Sequence, residues 1–326
     1  MAQNLIVRWS DPQSILHATD LLEGHRLVLY AIYQAKLSNA RVLLVHVAPP
    51  SYLRSGTHEG LQLSQANSLR GYIKAKLEGM AEEFQREGVD CEPIVLDGLP
   101  EEQISRLVKS RSVDRVIVAS RNATGVSRLV EGSVAEELIV GLDVPVCIIG
   151  RRTHPGAAWE TPLGRILFAT SFQPGSASAA RFASTLAELH HSQLVLLHVL
   201  DSAGMSEQNQ ELAKYAAQQK LAELIPKEAR HRHQPIRLVR EGDPAEIIAC
   251  EAGSMPEDLL ILGSPYPAMR SWLLGTRIVH RVVAESRCPV ITIKPTAATD
   301  DQLDSAGPEI TLAHSRVEVE ATAASR

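Results

Sequence analysis

The feature that most constrains this chain is that it repeats itself. Ile15-Leu16-His17-Ala18-Thr19-Asp20 returns as Ile166-Leu167-Phe168-Ala169-Thr170-Ser171, and Leu43-Leu44-Val45-His46-Val47 as Val195-Leu196-Leu197-His198-Val199. Asp97-Gly98-Leu99-Pro100-Glu101-Glu102 matches Glu241-Gly242-Asp243-Pro244-Ala245-Glu246. Asp114–Ser120 matches Asp258–Ser264, Gly132-Ser133 matches Gly275-Thr276, and Val144-Pro145-Val146 matches Cys288-Pro289-Val290. The matches keep their order along the whole chain, and the spacing between partners drifts only from 152 residues at His46/His198 to 143 at Gly132/Gly275. Order kept over that distance is the mark of a tandem duplication. We place the first domain at 12–151 and the second at 160–296. Arg151–Glu160, with Pro155 and Gly156, reads as the linker, and 297–326 as a mobile tail rich in Thr, Ala, Asp, Ser and Glu.

Each half alternates short apolar runs with longer amphipathic stretches. Val42–Val47, Val116–Ala119 and Val146–Ile149 have the length and β-branched content of strands. Leu61–Glu87 and Glu207–Ala229 are rich in helix formers and charged along one side. Strands apolar on both faces, separated by helices, predict an α/β fold with a parallel sheet and right-handed crossovers, about five βα units per half.

Composition excludes several classes of function. With 33 basic and 38 acidic side chains the net charge is −5, which gives no pull toward nucleic acid or an anionic membrane. Aromatics are only 4% of the chain, too few for a surface that stacks unpaired bases. No apolar run reaches the ~18 residues a membrane span needs, and the N-terminus has neither a basic nor an apolar region of a signal peptide. The four cysteines, Cys91, Cys147, Cys250 and Cys288, are isolated, as core thiols in a reducing compartment are. The expected location is cytoplasmic.

The motifs that carry the repeat resemble the universal stress protein family in its tandem two-domain form. They are the first strand ending in Thr19-Asp20, the second ending in His46-Val47, the Gly242-Asp243-Pro244 turn, and Gly132-Ser133-Val134-Ala135-Glu136-Glu137 followed by Pro145-Val146. The resemblance covers nearly all of both halves. It implies two domains, each a five-stranded parallel sheet sandwiched by helices, paired as a pseudo-dimer. It implies a stress-response regulator or interaction module.

The family contains members that bind ATP and members that do not. The binding pattern is Gly, two residues, Gly, nine residues, then Gly-Ser or Gly-Thr. Bare N–H groups of a Gly-rich turn leading into a helix N-terminus make an anion cradle. In the first half the pattern falls on Ala119, Asn122, Gly132 and Ser133, so its spacing survives while both leading glycines are replaced. Asn tolerates left-handed geometry, whereas Ala there costs about 1 kcal/mol or more. Gly125 and Ser127 offer further phosphate contacts, and Arg121 and Arg128 offer charge. Asp20 stands where the family's first-strand Asp holds the ribose or adenine, and Val47 where strand two presents backbone to adenine. The implied site is Asp20, Val47, Ser120, Asn122, Gly125, Gly132 and Ser133, taking ATP with Mg as its companion ion.

In the second half Gly263, Gly275 and Thr276 persist, but Tyr266 replaces the second Gly and one spacer is missing. Pro265 and Pro267 remove two N–H donors, and Ser171 replaces the Asp. No ligand is expected there.

Other constellations read as structure. Lys294-Pro295 suggests a receiver domain, yet Ser171 and Leu238-Val239-Arg240 supply none of its acidic cluster. His190-His191 and His231-Arg232-His233 lack carboxylate or Cys partners at ligand spacing and suit helix C-termini. His46 and His198, kept by the repeat, read as strand-end packing. GxSxG, HExxH, GK[ST] and GxGxxG are absent, and nothing resembles catalytic machinery. Two rival readings stand: a slow ATPase or phosphotransferase in the first half, and a dimerisation module that binds no nucleotide. The Pro-Val strands at 144–149 and 288–293 are candidate edges for pairing between two chains.

Overall fold

The computed structural model describes residues 2–22, 25–48, 59–120, 134–153, 163–173, 175–225, 234–253, 258–263 and 272–294. The first half supplies strands β1 (Ser14–Ala18), β2 (Arg41–Ala48), β3 (Cys91–Asp97), β4 (Arg115–Ala119) and β5 (Val146–Ile149). The second supplies β6 (Arg165–Ala169), β7 (Gln193–Leu200), β8 (Ile236–Glu241), β9 (Asp258–Gly263) and β10 (Val290–Ile293). All ten form one sheet in the order β3-β2-β1-β4-β5-β10-β9-β6-β7-β8. Pairing is parallel within each half, and antiparallel only where β5 meets β10, with Ile291 opposite Cys147. A pseudo-twofold axis therefore passes between β5 and β10, and the halves are paired as a pseudo-dimer.

That pairing corrects one expectation. The Pro-Val strands are not edges for a second chain: β5 lies between β4 and β10, and β10 between β5 and β9. Every residue of both strands is buried, so the apolar run that read as an exposed edge is the seam of the molecule. Among the described residues the sheet's edges are β3 and β8.

Helices cover both faces. On one side lie α1 (Ala2–Ser10), α2 (His25–Ser38), α3 (Glu59–Arg86), α6 (Ser176–His190) and α7 (Glu207–Glu223), sharing a core with Leu44, Phe168 and Ile261. On the other lie α4 (Pro100–Ser110), α5 (Val134–Gly141), α8 (Pro244–Glu251) and α9 (Trp272–Glu285), over Leu43, Leu167 and Val290. Alternate residues of each strand feed the two cores, which is why the strands read as continuous apolar runs. α7 stops at Glu223, short of the expected Ala229; Pro226 disfavours helical geometry at Ile225, the residue just before it.

The strand-to-helix turns repeat in detail. Gly98 (φ 137°) and Gly242 (φ 133°) occupy backbone that favours glycine, and their N–H groups bond the carbonyls of Ala48 and Leu200. Pro100 and Pro244 then open α4 and α8, where a missing N–H does no harm. α1 has no counterpart in the repeat. It packs on α6 of the other half, burying Ile6 and Trp9, and the Trp9 carbonyl accepts from buried Arg115 at 2.7 Å. Further links across the halves are His280 to Glu136 (3.2 Å) and Lys294 to Asp143 (3.1 Å).

Candidate functional site

In each half the sheet order reverses beside its first strand: β1 has β2 on one side and β4 on the other, and β6 has β7 and β9. Open parallel sheets hold ligands in the crevice outside the carboxyl ends of such strands. In the first half that crevice lies beyond the carboxyl ends of β1, β2 and β4.

β1 continues one step past Ala18, where the Thr19 N–H bonds Val45 O at 2.9 Å. The chain then turns away at Leu21, whose φ of 65° is rare for a bulky residue. Three side chains hold the turn. Thr19 Oγ1 accepts from the Leu21 N–H at 3.0 Å, His46 Nδ1 donates to the Thr19 carbonyl at 2.9 Å, and Lys76 Nζ donates to the Leu21 carbonyl at 2.5 Å. A carbonyl only accepts, so Nδ1 carries the hydrogen. Asp20 is half-buried and its Oδ1 accepts from the Leu22 N–H at 2.7 Å, which fixes the carboxylate at the rim of the crevice.

The second half repeats the device. Thr170 Oγ1 accepts from Phe172 N–H at 3.0 Å, Phe172 has φ 59°, and His198 Nδ1 bonds the Thr170 carbonyl at 2.8 Å. The Phe172 ring lies on His198 with centroids 4.3 Å apart, and Lys220 Nζ sits 5.5 Å from the Phe172 ring centre. Burial, with the nearby Lys220 charge, lowers the His198 pKa below its ordinary value despite the Thr170 bond. The repeat had marked the Thr and His of each brace. No sequence signal marks the left-handed Leu21 and Phe172, because neither residue type favours that geometry.

Three of the seven expected site residues meet at the crevice. Asp20 is at its rim, Val47 is buried in β2, and Ser120 follows β4 with its N–H on Ile149 O at 3.0 Å. Strand alternation turns Val47's backbone N–H and C=O the same way as those of Val45, toward β1. The ladder with β1 stops at the Thr19 N–H, so at Val47 these groups face the lane beyond it. Asn122, Gly125, Gly132 and Ser133 lie outside the described residues, as do Ser127, Arg121 and Arg128. Ala119 is in β4, paired with Ile149 in extended backbone, so the cost of alanine in left-handed geometry does not arise there.

α9 runs from Trp272, which puts Thr276 fifth in the helix with its N–H closing on the Trp272 carbonyl. Gly263 is exposed and extended at the end of β9; Tyr266, Pro265 and Pro267 lie outside the described residues, and Ser171 is exposed. His190 closes α6, and His191 (φ 53°) caps it; His231–His233 lie outside the description, as does the expected tail. Among the described residues no group of three or more His, Cys, Asp or Glu is placed to hold a metal, and no helix is long and apolar enough to cross a membrane.

Comparison with known proteins agrees with this architecture twice over: the model of the universal stress protein family matches residues 12–150 and again 162–294. The chain belongs to the universal stress protein family. Universal stress protein MJ0577 of Methanocaldococcus jannaschii is 26% identical over 155 residues, covering 43% of this chain and 96% of that protein. Among solved structures, a universal stress protein from Archaeoglobus fulgidus DSM 4304 aligns over 87% of this chain and 97% of its own, with TM-score 0.64 and 18% identity. A putative universal stress protein from Pseudomonas aeruginosa UCBPP-PA14 aligns over 88% and 95%, with TM-score 0.57 and 17% identity. At those identities the structures speak for the fold, a tandem arrangement spanning nearly the whole chain.

Proposed function

We propose that this tandem universal stress protein takes one adenine nucleotide, in its first half, and acts through ligand-dependent contact with protein partners, not through turnover. The observation that carries the reading is the vacated lane beyond Thr19. There the Val47 backbone faces space that β1 no longer fills, with Asp20 fixed at its rim and Ser120 on the far side. An adenine edge offers an amino donor beside a ring-nitrogen acceptor, which matches the C=O and N–H of one extended residue. The Asp20 carboxylate suits a ribose hydroxyl. Phosphates would fall to the loop before α5, on Asn122, Gly125, Gly132 and Ser133, with Mg as their counter-ion. This half spans 12–151 and its companion 160–296, in a cytoplasmic protein. In the companion the Thr276 N–H is spent inside α9, two prolines remove donors, and Ser171 supplies no carboxylate. That half serves as scaffold.

The test is mass spectrometry of small molecules released on denaturing the purified protein, followed by thermal shift with Mg-ATP. About one nucleotide per chain is expected, lost in Asp20→Ala and in Gly132→Leu while the fold persists. An empty extract with no thermal shift overturns the reading and leaves a pairing module. Mg-dependent phosphate release that disappears in Asp20→Ala would make the protein a slow hydrolase instead.

A further inference from the structure

The two ends of the ten-stranded sheet are built differently. In β3 the Val42 N–H bonds Asp90 O and the Gly98 N–H bonds Ala48 O, so even-numbered residues turn their backbone toward β2 and odd-numbered ones toward the open edge. Pro93 is one of the outward residues, and it has no N–H to offer there. A proline on an edge strand is a known way of blocking further pairing. The acidic residues of this edge are also engaged: Glu92 with Arg111, and Asp97 with Arg70.

β8 is the repeat partner of β3, and it lacks that block. The Gly242 N–H bonds Leu200 O, so the outward residues of β8 are Arg237, Val239 and Glu241. Leu44 faces Pro93 in the first half, and its repeat partner Leu196 faces Arg237 in the second. Where the first half carries its proline, the second carries an arginine whose N–H has no partner among the described residues. Arg237 is exposed and, among the described residues, has no ion pair, whereas Arg240 on the same strand is held by Glu251 at 2.7 Å. Arg237 and Glu241 lie on the same face of the sheet, four residues apart with Val239 between them.

We propose that β8 is a self-pairing edge whose occupant is β8 of a second copy of this chain. The two strands run antiparallel and centre on Val239. In that register Arg237 stands opposite Glu241 of the second copy, and the pair occurs twice because the interface is isologous. The three outward residues then form hydrogen-bonded pairs, each exchanging two backbone bonds. Centring on Arg237 would set arginine opposite arginine, and centring on Glu241 would set glutamate opposite glutamate, so charge selects the middle register. Glu241 already meets Lys214 Nζ at 2.6 Å and Ser202 Oγ at 2.9 Å, which holds its carboxylate ionised and in place. The exposed Ile236 comes to lie opposite Gly242 of the other copy and is covered. The result repeats at the molecule's end the antiparallel twofold junction that β5 and β10 make at its centre, and it does not depend on nucleotide.

Sedimentation velocity of the full chain over a concentration series tests this. The wild type should pass from the 35.5 kDa monomer to a dimer as concentration rises. Arg237→Pro, which gives β8 the residue its repeat partner carries, should leave only monomer with circular dichroism unchanged. Arg237→Glu sets like charges opposite twice and should weaken the dimer by about tenfold or more. The exchange R237E/E241R, made together with Lys214→Gln so that the new arginine does not meet the lysine that Glu241 pairs with, restores complementarity and should return the affinity to near that of Lys214→Gln alone. The swap alters no backbone, so it stands even if the proline variant fails to fold. A dimer indifferent to Arg237→Glu, or one that the exchange does not rescue, overturns the proposal. So does a wild type that stays monomeric throughout, whether or not an added extended peptide binds β8.

Discussion

Gly150, immediately after β5, sits against the backbone of α9 in the other half, and Gly150→Ala tests how tightly the two are joined. An ideal Cβ at this position would lie 2.5 Å from the carbonyl oxygen of Val283 in α9 and 3.5 Å from Thr153 Oγ1. Carbon–oxygen contacts of this kind settle at about 3.3–3.6 Å, so the backbone of α9 and the end of β5 must part by about 1 Å. Neither side yields easily. The Arg26 guanidinium ties down the carbonyls of Gly150 (3.2 Å), Arg151 (3.1 Å) and Thr153 (2.9 Å), while Val282 and Val283 are locked into the core under α9. Overpacking of a core at this scale costs about 2–3 kcal/mol. With an unfolding entropy of about 2.1 cal/mol/K per residue, that lowers Tm by about 3–4 °C for a chain of this size. The control is Gly263→Ala: nothing lies within 4 Å of its Cβ and its φ is ordinary, so stability should hold or rise by up to about 1 kcal/mol. Urea unfolding followed by far-ultraviolet circular dichroism, with calorimetry for Tm, measures both. A Gly150→Ala protein within 0.5 kcal/mol of wild type would refute the close seating of α9 on β5, and with it the picture of one rigid sheet.

Three further expectations concern buried groups. Burial, and then the Lys220 charge, hold the His198 pKa below its unfolded value near 6.5, so the unfolded chain takes up that proton first. Stability from this residue is therefore present above about pH 6.5 and lost as pH falls through the range below it, and His198→Gln should flatten the decline seen in urea titrations from pH 7.5 to 5. Burial pushes the thiols of Cys91 and Cys288 up to about 12 and that of Cys147 up to about 11, while Cys250 is exposed; a disulfide exchange reagent should count one fast thiol per native chain and four in denaturant. Asp258, fully buried, accepts from Arg165 through both oxygens (2.7 and 2.5 Å) and from the Gly253 N–H at 2.8 Å, so Asp258→Ala should cost about 3 kcal/mol in the same unfolding assay.

The sheet was legible because a strand buried on both faces must be apolar at every position. Val42–Val47, Val116–Ala119 and Val146–Ile149 all fall inside β2, β4 and β5. What those runs could not reveal is their partner. An apolar Pro-Val strand reads the same whether it pairs with another chain or with its own repeat, and β5 and β10 satisfy each other. α1 was illegible for a different reason: it is only nine residues long and precedes the first repeat match, although Trp9 and Ile6 are core. At the site, Asp20 and Val47 were found through the resemblance, and His46 and His198 through the repeat. The turn they brace rests on Leu21 and Phe172 in left-handed backbone, a conformation imposed by the surrounding bonds and not by residue type.

What the duplication kept and what it let change follow from the energetics of each position. The Thr–His brace survives in both halves because it ends the central strand of each, and losing a buried partner there leaves a carbonyl or N–H unpaired. β5 and β10 stay apolar because each forms the other's buried flank. By contrast, Ser171 is exposed and Asp20 only half-buried, and Gly263 lies extended in open space as Ala119 lies extended in β4. Substitution at these places costs the fold little. Joining two copies through their seam thus ties both halves into one sheet while residues at the carboxyl ends of the strands stay free to vary. The same freedom operates at the outer edges, where Pro93 closes one end and Arg237 leaves the other open. A single-domain ancestor pairing two identical chains could not have set different residues at its two ends. The fused chain can, and the asymmetry between β3 and β8 is where a tandem protein gains a surface that a symmetric dimer lacks.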